Sequence, residues 1–83
     1  MASATDDDLK RAVTAALNGD WNQAHLIAQE SDTSIACWIH AVLHKMEQDT
    51  ANSHYWYAKA GKNYENYADP MLELKTIAEQ LAQ

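Results

Sequence analysis

Residues 19–25 of this chain read GDWNQAH, and residues 48–54 read QDTANSH, so a degenerate copy follows the first stretch after about 29 residues. The register also holds upstream, where the apolar Leu9 and Val13 fall on Trp38 and Val42. A period of roughly 20 to 50 residues is typical of stacked supersecondary units. Because such stacks generally serve as binding scaffolds, the repeat predicts a helical surface for a partner and not an enzyme.

Helical periodicity divides the chain into five predicted helices. Four of them follow a residue suited to capping a helix N-terminus: Thr5, Asp20, Asp49 and Asp69. The first four helices pair into two antiparallel hairpins at 6–30 and 34–61, residues 62–68 form an ordered connection, and a fifth helix at 70–82 caps the stack. Since no strand pattern occurs, the expected fold is a single all-α domain over residues 1–83.

Composition narrows the classes of partner. The chain has 12 acidic and 6 basic residues and a net charge of −6, which argues against nucleic acid and against acidic membrane surfaces. No segment is long and apolar enough to cross a bilayer, and residues 1–6 lack the pattern of a secretory signal, so the cytoplasm is the expected location. Only two glycines are present and no phosphate loop or nucleophile motif, so we expect no cofactor and no catalysis.

The predicted partner site is an apolar face that the first and third helices share. An apolar face of this size seldom stays open to water. Three occupants are possible: the fifth helix folded back, a second copy in a homodimer, or an amphipathic segment of another protein. Trp56 joins the candidates because three consecutive aromatic residues, 55–57, cannot all point to one packed face. The candidate partner-binding residues are Leu9, Val13, Trp38, Val42, Lys45, Met46 and Trp56.

The third helix also carries a polar row with ligand chemistry. Cys37, His40, His44 and Glu47 fall within an arc of about 80°, opposite the apolar face. A histidine pair at i and i+4 can chelate zinc, and a nearby carboxylate can complete the shell. His25 and His54 occupy equivalent repeat positions and could converge on this row. The alternatives are histidines that simply pack between helices, or a pH-responsive interface. Binding of a metal or small ligand at His40, His44 and Glu47 is therefore the alternative function.

The two units resemble the tetratricopeptide repeat. The matching positions are Ala12, Gly19, Asp20 and Ala24 in the first unit, and Ala41, Asp49, Ser53, Tyr57 and Ala60 in the second. The resemblance implies stacked helical hairpins with a right-handed sense. The chain departs from the pattern at Gln48, where glycine is expected, and its period is about five residues shorter than the usual 34. The units are best described as repeat-like hairpins.

A second resemblance covers roughly residues 21–61. This segment is similar to a family of small bacterial proteins with the signature W-[IV]-H-A-x-L-H-x-x-E-G-D-x-x-N-A-x-Y-W-Y-x-x-A-G. The signature itself corresponds to Trp38–Gly61, with Gln48 in place of glycine and Ser53 in place of alanine. The resemblance implies no particular activity.

Overall fold

The computed structural model describes residues 5–83 and contains five α-helices. They are α1 (Asp6–Leu17), α2 (Trp21–Ala28), α3 (Ser34–Met46), α4 (Thr50–Ala60) and α5 (Pro70–Leu81), with a short 3₁₀ helix at Tyr64–Asn66. No strand occurs in this range, so the predicted all-α fold is confirmed. The predicted starts at residues 6, 34 and 70 agree with the observed ones, and the ends differ by one or two residues. Residues 1–4 of the predicted domain lie outside the described residues.

Side-chain caps define where the helices begin. Thr5 accepts a hydrogen bond from the Asp8 amide at 3.2 Å, and the Asp8 carboxylate accepts one from the Thr5 amide at 2.9 Å. This reciprocal pair satisfies two amides that the first helical turn leaves without partners. Asp20, Asp49 and Asp69 cap α2, α4 and α5, as the sequence predicts, and Thr33 caps α3.

The helices pack as two hairpins, with α3 at the centre. α1 packs on α2, α3 packs on α4, and α5 lies against both α1 and α3. Every residue of α3 from Ala36 to His44 is buried. The Ser53 hydroxyl donates to the Ala41 carbonyl at 2.7 Å, and these small residues let α4 approach α3 closely. One face of α3 therefore contacts α5, and another contacts α2 and α4.

The contact between α3 and α5 is centred on a buried carboxylate. Glu73 is fully buried; its Oε2 accepts hydrogen bonds from Trp38 Nε1 at 2.7 Å and from the Tyr57 hydroxyl at 2.6 Å. Its Oε1 accepts from Lys45 Nζ at 2.9 Å, and Lys45 also donates to the carbonyls of Tyr64 and Tyr67. We call Trp38, Lys45, Tyr57 and Glu73 the Glu73 network. Because both buried charges are paired and hydrogen-bonded, α5 is fixed in one position on α3.

The predicted apolar face is buried in the structure, next to the Glu73 network. Leu9, Val13, Trp38 and Val42 are at most 3% exposed, and α5 packs against both of the helices that carry them. Lys45 belongs to the network, and Met46 is half-buried. Of the three predicted occupants, the chain's own fifth helix is the one in place. A partner could bind this face only if α5 moved away. No helix among residues 5–83 combines the length and apolar character needed to cross a bilayer.

Candidate metal-binding site

Three histidines meet on the side of α3 that faces α2 and α4. His40 and His44 lie one turn apart on α3, and His25 reaches them from α2. The ring centroids are 4.6 Å apart for His25 and His40, 4.9 Å for His40 and His44, and 5.5 Å for His25 and His44. One ring nitrogen of each lies within 4.8 Å of one of each other ring. We call these three residues the histidine cluster, and it joins the two hairpins.

Two tryptophans form the walls of the histidine cluster. Trp21 stacks on His25 with ring centroids 4.8 Å apart, and its Nε1 donates to the Leu43 carbonyl at 2.7 Å. This bond ties α2 to α3 and so brings His25 to the cluster. Trp56 of α4 stacks on His40 at 3.9 Å. Trp56, predicted as a partner-binding residue, is therefore half-buried against a histidine, whereas its neighbour Tyr55 is 56% exposed.

Glu47 lies outside the cluster, next to His44. Its Oε1 is 2.7 Å from His44 Nδ1, and Asp49 Oδ2 lies 3.9 Å from the same nitrogen. Asp49 also caps α4 and accepts a hydrogen bond from the Asn52 side chain at 2.7 Å. The predicted set of His40, His44 and Glu47 is thus only partly brought together. The two histidines meet, and His25 supplies a third imidazole. Of these three histidines, Glu47 contacts only His44, through Nδ1.

Two members of the histidine cluster, His25 and His40, favour the neutral imidazole near pH 7. Burial, together with the neighbouring His25 and His44, lowers the pKa of His40 to about 4. Burial is also the main cause that lowers the pKa of His25. A neutral imidazole has a free lone pair, which is the form that binds a metal ion. Proton competition at these two rings is therefore weak near neutral pH.

The imidazole rings of His25 and His40 make no hydrogen bond to any residue between Thr5 and Gln83, although His40 is only 6% exposed. Buried polar groups are nearly always hydrogen-bonded. Within the described part of the chain no fully buried side-chain nitrogen or oxygen lacks a partner, so solvent still reaches the unbonded nitrogens of His40. The cluster thus combines a sheltered position with accessible lone pairs.

The other predicted ligands lie elsewhere. Cys37 Sγ contacts the Asp32 carbonyl at 3.7 Å, and burial raises the pKa of its thiol. His54, the repeat equivalent of His25, is exposed and stacks on Tyr64 with centroids 4.3 Å apart. Trp21 was not predicted as part of the site. The signal for it was its spacing of four residues from His25, which places both rings on one helix face.

Comparison of this chain with protein-family models, curated proteins and solved structures gave no match. The resemblances to the tetratricopeptide repeat and to the small bacterial family therefore stay predictions. The function has to be argued from the geometry of the histidine cluster.

Proposed function

We propose that this protein is a small helical module that binds a divalent transition-metal ion through His25, His40 and His44. The observation that carries this proposal is the convergence of three imidazoles from two hairpins, with one ligand atom of each within 4.8 Å of the others. It corresponds to the alternative function predicted from the sequence, with His25 in the place of Glu47.

The ligand set favours a particular class of ion. Imidazole suits Zn²⁺, Cu²⁺, Ni²⁺ and Fe²⁺, whereas Ca²⁺ and Mg²⁺ require oxygen ligands. Zinc binds imidazole nitrogen at about 2.0–2.1 Å, so two nitrogens on one tetrahedral ion lie roughly 3.3 Å apart. The ligand nitrogens, which now lie within 4.8 Å of one another, would have to approach by up to about 1.5 Å to share one ion. Three protein ligands leave one position for water or a small anion.

Metal binding at this position is coupled to the fold. His25 belongs to the first hairpin, and His40 and His44 belong to the second. A shared ion therefore adds a link between the hairpins that the unfolded chain lacks. A ligand that binds only the folded state stabilises it by about 2.7 kcal/mol at 100 times its Kd.

The experiment is a titration of untagged, metal-free protein with ZnCl2, CuCl2, NiCl2 and MgCl2, followed by calorimetry and by thermal unfolding. We expect one transition-metal ion per chain, a raised Tm and no response to Mg²⁺. His25→Ala removes a half-buried ligand, and His54→Ala is the matched control at the equivalent repeat position. We expect the first variant to lose binding and the second to keep it. Absence of saturable binding, or loss of binding in the His54 variant alone, would contradict the proposal.

Partner binding through the face between α1 and α3 is the second candidate function. What supports it is that an amphipathic helix, α5, already occupies this face, with Leu74, Ile77 and Leu81 buried. A second copy of the chain, or an amphipathic segment of another protein, would have to displace α5. Light scattering over a wide concentration range tests the homodimer, and hydrogen exchange of the α5 amides tests the displacement. A monomer at every concentration would contradict self-association.

The cytoplasm is the compartment that we propose for either function. The acidic charge of the chain argues against binding to nucleic acid and to acidic lipid in that compartment. Fractionation of cells that express a tagged chain tests the location.

A further inference from the structure

We infer that Glu47 is the positioning residue of the metal site, which holds His44 in the Nδ1–H tautomer and leaves Nε2 to bind the ion. This inference rests on the proposed function. It assigns Glu47 a role behind the ligand instead of the direct ligation that its spacing in the sequence predicts.

The first argument is the hydrogen bond. The 2.7 Å contact between His44 Nδ1 and Glu47 Oε1 is short for a nitrogen–oxygen pair, as expected when the acceptor is charged. A carboxylate only accepts hydrogen bonds, so the proton must lie on Nδ1. In the neutral ring the lone pair then lies on Nε2, and His44 is held as a ligand before any ion arrives.

The second argument is the contrast within the histidine cluster. The rings of His25 and His40 make no hydrogen bond to any residue in the described range 5–83, so no hydrogen bond fixes their tautomers. His44 alone is fixed, with its side chain 11% exposed. One ligand held by a hydrogen bond and two without one allow ligand nitrogens that are now up to 4.8 Å apart to close on an ion.

The third argument is charge. Three neutral imidazoles leave the full double charge of the ion in a partly buried site, which is unfavourable without a nearby anion. Glu47 supplies that anion one ring away from the ion. Carboxylates that hydrogen-bond a metal-bound histidine raise its basicity, and their loss typically lowers metal affinity roughly 10–100-fold. Asp49 is less suited to the role, because it is 3.9 Å from His44 and already caps α4.

The test compares three variants with the unaltered chain by zinc titration. Glu47→Ala removes both the acceptor and the charge, and we expect affinity to fall roughly 10–100-fold. Glu47→Gln keeps an acceptor oxygen and should recover part of that loss. Asp49→Asn is the control, because it removes a nearby charge but keeps a residue that caps helices well, and its affinity should change little. Thermal unfolding of each metal-free variant confirms that it folds.

A spectroscopic measurement tests the tautomer without any metal. Nitrogen-15 imidazole spectra of the metal-free protein should show His44 protonated at Nδ1 and unprotonated at Nε2, and Glu47→Ala should give a mixture of tautomers. If the unaltered chain binds zinc and Glu47→Ala binds it equally well, the inference is overturned while the proposed function stands. If the unaltered chain binds no zinc, both are overturned, and the spectra alone then show whether Glu47 orients His44.

Discussion

The two faces of α3 differ in whether their buried polar side chains are hydrogen-bonded within the chain. On the side of α5, each member of the Glu73 network has its polar atoms bonded within the chain. On the side of α2 and α4, His40 is 94% buried, and its ring makes no hydrogen bond to residues 5–83. The first face is complete in the folded chain and contributes stability. The second retains unused lone pairs, so it is the face on which a ligand is expected.

The largest effect is expected from breaking the complete face. Glu73→Ala leaves Lys45 charged, buried and without its carboxylate, and also removes the acceptor of Trp38 and Tyr57. Removing one partner of a buried ion pair typically costs about 3–5 kcal/mol. Urea unfolding should therefore show a large loss of the free energy of unfolding. Glu79→Ala, an exposed glutamate on the same helix, is the control, and its effect should be below about 0.5 kcal/mol. Similar values for the two variants would remove the contrast between the faces.

The second-largest effect is expected at low pH, on the side of α3 that carries the histidine cluster. The folded-state pKa of His40, about 4, lies below the ordinary 6.5, so the unfolded chain binds the proton more readily. The neutral His40 ring therefore makes its full contribution to the free energy of unfolding above about pH 6.5. This contribution falls by about 3 kcal/mol as the pH is lowered toward 4. His25 and His44 face His40, and Glu47 lies beyond them.

The measurement for this acid effect is urea unfolding of metal-free protein at several pH values, compared with His40→Phe. The phenyl ring keeps the stacking on Trp56 but cannot be protonated. The pH dependence of the variant should be weaker than that of the unaltered chain over this range. Equal slopes would mean that His40 is not protonated on unfolding.

His40→Phe also separates stability from ligand binding. Near neutral pH and without metal, the variant should be about as stable as the unaltered chain, because a buried nitrogen without a protein partner contributes little. The gain of about 2.7 kcal/mol at 100 times Kd should disappear, since one of three ligands is lost. Thermal unfolding with and without zinc measures both quantities. A variant that is much less stable without metal would show that His40 is a structural residue.

The sequence predicts most of the fold because helix periodicity and capping are local properties. It predicts His25 as a possible member of the site through the repeat, but equally His54, which stays outside. The difference is tertiary: α2 is followed by the second hairpin, whereas α4 is followed by the 3₁₀ segment, so His54 meets Tyr64 and not another histidine pair. Glu73 could not be predicted as buried, because its partners Trp38 and Lys45 lie on another helix and neither reveals an acceptor in the sequence pattern.

The smallest effect is expected at the turn after α3, which belongs to neither face. Gln48 has a φ of 64°, and its repeat equivalent Gly19 has a φ of 85°. Because a side chain in this left-handed conformation costs roughly 1–2 kcal/mol, Gln48→Gly should raise the free energy of unfolding by about 1 kcal/mol. Gly19→Ala is the reverse change. A Cβ at position 19 would meet nothing within 4 Å. A loss of about 1 kcal/mol in the free energy of unfolding of Gly19→Ala would therefore reflect the backbone conformation alone. Zinc affinity should be the same in both variants, since neither residue belongs to the histidine cluster. A change in affinity together with stability would show that the histidine face depends on the general rigidity of the fold and not on its own ligands.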